Sequence, residues 1–184
     1  MQPRPRCRTA LLALVGLLAA GAGPVVRAQQ SVSAEIRPPF GLGWGESASR
    51  LDGLLAAAKA SVVERRLVGA RECWVVEGLE QPNLKRTLFY FAGGTLAEVE
   101  LQYQNRDWQA TQYEAFLSQV RTRIEQRYGT GKLIARSKAP EKEVMQTVIG
   151  YQWNQPGTAL QIFYYSAEAG VRSWRTVSLH YKRT

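Results

Sequence analysis

The chain has 184 residues, with 24 Lys and Arg against 15 Asp and Glu and a formal charge of +9. Four of those cations, Arg4, Arg6, Arg8 and Arg27, fall in the first 28 residues, so the remainder carries a formal +5, modest for a protein that grips nucleic acid. One His and two Cys are too few for an imidazole and thiolate metal centre, and no cofactor motif is present.

Residues 1–28 have the three parts of a cleavable export signal. Arg4, Arg6 and Arg8 form the basic start, Ala10 to Ala20 the apolar run, and Val26-Arg27-Ala28 the small-residue exit. The apolar run falls short of the roughly 20 residues that a membrane helix needs, and Gly21, Gly23 and Pro24 interrupt any extension of it. Cleavage after Ala28 leaves 156 residues, the size of one domain. Cys7 leaves with the signal, so neither a lipid anchor on the mature N-terminus nor an internal disulfide is expected. Cys73, flanked by Trp74, Val75 and Val76, reads as a buried strand residue.

After a polar lead over residues 29–39, the Gly-rich run Phe40 to Gly45 turns into a first helix capped by Ser47, with Ala48, Leu51, Leu54, Leu55 and Ala58 as its apolar stripe. Short β-favouring runs follow at Val62-Val63, Leu67-Val68, Cys73 to Val76 and Thr87 to Phe91. Ala92-Gly93-Gly94 closes a hairpin into Thr95 to Tyr103, where Ala97, Val99, Leu101 and Tyr103 alternate with Glu98, Glu100 and Gln102. Thr111 and Glu114 have the spacing of a capping box. Behind them Tyr113, Phe116, Leu117, Val120, Ile124 and Tyr128 form the buried stripe of a second helix that Gly129 stops. A basic connector from Gly131 to about Glu143 then leads to three strands, Met145 to Trp153, Ala159 to Tyr165 and Trp174 to Tyr181.

This order predicts an α+β fold: two helices packed on an antiparallel sheet, in the order helix, strands, helix, three strands, as one domain over residues 40–184. It also hints at a duplicated helix-plus-meander unit. The opening Phe40-Gly41-Leu42-Gly43-Trp44-Gly45-Glu46-Ser47 and the helix closed by Tyr128-Gly129 resemble a group of small, uncharacterised exported bacterial proteins. The resemblance implies a fold and an exported location and lends no activity.

Catalytic patterns are sparse. His180 shares one side of a strand with Ser178 while Val177, Leu179 and Tyr181 take the other, which places it on a polar sheet face rather than in a catalytic centre. Glu98 and Glu100 lie two apart on one strand face. That spacing permits a pair of carboxylates acting on glycans without His, although alternating Glu on an exposed strand more often serves as a solubilising edge.

Two regions suit binding. Arg123 and Arg127 share a flank near the C-terminus of the second helix, where the helix dipole also favours cations. Trp153, Phe163, Tyr165 and Trp174, with Arg172 and Arg175, are either core, if a helix covers each sheet face, or a ring-and-guanidinium surface, if one face is open. The expected function is an exported, non-enzymatic binding module of the bacterial cell envelope, periplasmic or secreted, whose partner is a glycan, a peptide or a protein. The competing readings are a carboxylate-dependent hydrolase of envelope glycans using Glu98 or Glu100, and an inhibitor of a foreign hydrolase.

Overall fold

The computed structural model describes residues 34–184, so the export signal expected over residues 1–28 lies outside the described residues. Helix α1 (Ala48–Ala57) starts where the Ser47 side chain accepts the Arg50 amide at 3.3 Å. It turns Leu51 and Leu55 inward and leaves Leu54 exposed. The meander β1 (Ser61–Val68), β2 (Arg71–Glu77), β3 (Leu84–Ala92) and β4 (Thr95–Tyr103) follows. Helix α2 (Ala110–Tyr128) then leads into a second meander, β5 (Lys132–Glu141), β6 (Val144–Gln155), β7 (Thr158–Ala169) and β8 (Arg172–Arg183).

All eight strands form one sheet in the order β1-β2-β3-β4-β8-β7-β6-β5, and every neighbouring pair is antiparallel. The two meanders meet at the centre, where β4 runs against β8 with Val99 opposite Tyr181 and Leu101 opposite Leu179.

The expectation of an α+β fold with three strands after the second helix is corrected by this sheet. The protein is dominated by strands, and the second helix is followed by four of them. The missed strand is β5, read from sequence as a basic connector. Its Lys132, Arg136 and Lys138 mark an edge strand, where charge deters pairing with a further chain, and an edge also tolerates Pro140, which has no N–H to donate. The opposite edge, β1, is charged too, through Glu64, Arg65 and Arg66. The start of α2 is corrected as well. Asn105 forms a side-chain turn onto the Asp107 amide, and the Gln112 side chain accepts the Gln109 amide at 2.7 Å, so the helix starts ahead of the Thr111 and Glu114 pair.

Both helices cover the same face of the sheet. Leu51 and Leu55 of α1 and Tyr113, Leu117 and Ile124 of α2 share one core with Phe89, Phe91, Val99, Leu101, Leu160, Ile162, Val177 and Leu179. Burying each large aliphatic side chain here contributes about 1.5–3 kcal/mol. The lead segment joins this core from residue 34 onward rather than ending as a polar tail. Ile36 is fully buried, its amide donates to Gln155 Oε1 at 2.7 Å, and Gln155 Nε2 donates to the Ala34 carbonyl at 2.9 Å. Among the described residues, no helix is long and apolar enough to cross a membrane.

Candidate functional site

Side chains alternate across strands, so every second residue of the central strands faces away from the helices. On this open face a small cluster, Cys73, Val75, Leu88 and Tyr90, consists of strand residues alone. Cys73 is fully buried there, as its apolar neighbours lead one to expect. Burial pushes its thiol pKa up, against the pull of Arg66, and keeps it neutral.

Beside that cluster lies a charged network across β4 and β8. Register sets Glu98 opposite Lys182, Glu100 opposite His180 and Gln102 opposite Ser178. Glu98 receives Arg71 at 2.6 Å, His180 Nδ1 at 3.2 Å and Lys182 at 3.5 Å. Glu100 accepts from the Tyr90 hydroxyl at 3.0 Å and from Gln102 at 2.6 Å. The two carboxylates are therefore not a solubilising edge: their side chains are 8% and 11% exposed and sit mid-sheet. Burial disfavours the Glu98 charge, but the His180 and Arg71 hydrogen bonds and the Lys182 ammonium outweigh it and hold the carboxyl at about 2, below its ordinary 4.5. Tyr90 moves the other way, since burial and the Glu100 carboxylate keep its phenol protonated.

His180 Nε2 lies 3.0 Å from Ser178 Oγ, so Glu98, His180 and Ser178 are linked in the order of a nucleophile relay. The link does not make a hydrolase. Ser178 is 1% exposed, lies mid-sheet between β4 and β7, and has the Phe163 ring edge-on to its His180 partner at 5.5 Å. A reacting carbonyl has no route to its hydroxyl. A carboxyl held at about 2 is likewise a poor general acid near neutral pH. The arrangement serves to bury charge with every partner in place.

The residues singled out for binding separate into four places. Trp153 is core: it lies on the helix-covered face, is buried, and donates to the Gly129 carbonyl at 2.7 Å. Phe163 and Tyr165 stand half-buried on the open face, stacked at 5.5 Å. Trp174, 51% exposed, lies at the start of β8 near Arg106 and Trp108. Arg123 and Arg127 line a separate cleft of about 710 Å³ on the helix-covered side. One wall of this cleft is α2, the floor is Leu101, Tyr103, Leu160, Leu179 and Tyr181, and the far wall is Phe40, Pro82 and Asn83.

The network itself was missed from sequence. Its trace is the pair of alternating triplets Glu98, Glu100, Gln102 and Ser178, His180, Lys182, but only the pairing of β4 with β8, some 80 residues apart, brings them together. Comparison with protein-family models, with curated proteins and with solved structures finds no match for this chain.

Proposed function

We propose that the protein is exported with removal of residues 1–28 and acts in the bacterial cell envelope as a non-enzymatic binding module, docking a protein partner on the open face of its sheet. The observation that carries this reading is the asymmetry of the sheet. Both helices pack on one face, and among the described residues no helix packs on the other. That uncovered face presents Phe163, Tyr165 and Trp174 together with Arg71, Lys182 and the amides of Gln102, Gln152 and Gln161. Rings supply area at low entropic cost, and guanidinium and amide groups supply directional bonds, the composition of interface anchors. The mixed charge favours a protein surface over a polyanion. Export fits the folded body, because a cut after Ala28 falls five residues ahead of Ala34, the first residue of the lead that binds β6.

A photo-reactive amino acid placed at Trp174 or Gln161 in cells that express the full-length chain tests this. An adduct of discrete mass, absent when the same group replaces Glu114 on the outer side of α2, is the expected result. Equal labelling from both sides, or none, would overturn it. The mass of the crosslinked chain also reports whether Gln29 is its first residue.

A further inference from the structure

We propose that the cleft between α2 and the lead segment is a second binding site, for a single-chain amphiphile with one anionic head: the chain lies on the apolar floor and the head meets Arg123 and Arg127. This goes beyond the open-face reading and stands independently of it, on the other side of the sheet.

At about 710 Å³ the cleft falls within the 300–1,000 Å³ typical of small-molecule sites. Its floor is aliphatic and phenolic, and the two phenols are neutral. Burial raises Tyr103 to about 12, with the Gln81 hydrogen bond opposing, and raises Tyr181 as well, with Arg127 opposing. Positive charge is confined to the rim. Arg121, two residues before Arg123, is neutralised by Glu125 at 3.0 Å, whereas Arg123 and Arg127 make no ion pair among the described residues. The Arg127 guanidinium instead stands over the Tyr128 ring at 5.4 Å, and Tyr128 also lines the cleft. An apolar floor with two unneutralised guanidiniums at its edge selects a ligand of matching polarity, apolar along its length and anionic at one end.

A second observation concerns the far wall. Phe40 adopts φ 63°, left-handed backbone that a bulky side chain rarely takes, and Gly41 beside it has φ 71°. Strain of this kind persists where the surroundings enforce it, and it gathers at ligand clamps. The Phe40 ring lines the cleft yet is 45% exposed, a wall lacking something to pack against. An alkyl chain on the floor supplies that contact.

Calorimetric titration of the purified chain with dodecanoate, dodecyl phosphate and dodecanol tests the site. One-to-one binding is expected, with both anions at least about tenfold tighter than the alcohol, in line with a charge-assisted hydrogen bond. Arg123→Gln combined with Arg127→Gln should erase that tenfold preference without moving the melting temperature, since both residues are exposed on the helix. Phe40→Gly should weaken binding severalfold while raising the melting temperature, a pairing that mere structural damage does not produce. Three results would overturn the proposal. They are no saturable one-to-one heat with either anion, unchanged discrimination in the double variant, or a dimer that the double variant dissolves while neither anion binds, which would make a second copy the occupant.

Discussion

The two faces of the sheet share one backbone and solve burial by different means. On β4, Leu96, Val99, Leu101 and Tyr103 go under the helices, while Glu98 and Glu100 point to the open side and are nearly as inaccessible. On β8, Val177 and Leu179 are covered, and Ser178 on the other side is equally buried. The covered face is closed by a second layer of apolar side chains. The open face is closed by its own polar side chains leaning on one another. A hydrophobic core tolerates imperfect partners, whereas a buried charge costs several kcal/mol when a partner is removed. The covered face should therefore respond to lost volume and the open face to lost charge and to pH.

The sharpest break comes from neighbouring residues on opposite faces. Phe89, on the covered face, is fully buried, and Phe89→Ala should cost about 3–5 kcal/mol. Leu88, the next residue on the same strand, belongs to the four-residue cluster on the open side. Leu88→Ala should cost about 2 kcal/mol, the low end for such a change, because no helix layer holds the gap open. Urea unfolding at neutral pH measures both, and equal losses would mean that the faces pack alike.

The charge side of the comparison is tested by acid. A Glu98 carboxyl held at about 2 takes up its proton more readily in the unfolded chain, near 4.5. The stability that it contributes is thus fully present above about pH 4.5 and is lost as pH falls toward 2. The groups facing it are Arg71, His180 and Lys182, with Glu100 and Tyr90 alongside. The shift corresponds to a loss on the order of 3 kcal/mol across that window. Glu98→Gln should be less stable than the parent at pH 7, and the gap between them should close as pH falls to 2. A gap independent of pH would show that packing, not ionisation, sets the role of Glu98.

How far each face was legible follows from the same contrast. The covered face announces itself through local periodicity. The Tyr113 to Tyr128 stripe, the Ser47 cap and the Gly93-Gly94 hairpin are all in place, because each depends on residues close in sequence. The open face depends on partners from distant strands, so Glu98 and Glu100 looked like a wetted edge until β8 was laid beside β4. The strand β5 was hidden for a related reason: an edge strand takes polar and charged side chains, which in sequence resemble a loop. Of the residues picked for binding, Phe163 and Tyr165 lie on the open face and Arg123 and Arg127 at the cleft, while Trp153 is core. Aromatic content alone does not say which face of a strand is covered.

The smallest expected effect probes the open face without touching its charges. Gly150 on β6 pairs with Phe163 on β7, and the Phe163 ring lies across it so closely that a Cβ at Gly150 would come within 2.5 Å of two ring carbons. Gly150→Ala must therefore push the ring aside, at a cost of about 1–2 kcal/mol for an overpacked contact. The ring is also edge-on to His180 and stacked on Tyr165, so its displacement should shift the imidazole proton resonances of His180 while resonances of the covered core, such as the Ile162 and Val177 methyls, stay fixed. The same variant should lose the photo-adduct at Gln161 if the rings form the docking surface. A variant that folds, moves His180 and keeps the adduct would confine docking to the Trp174 end of the sheet.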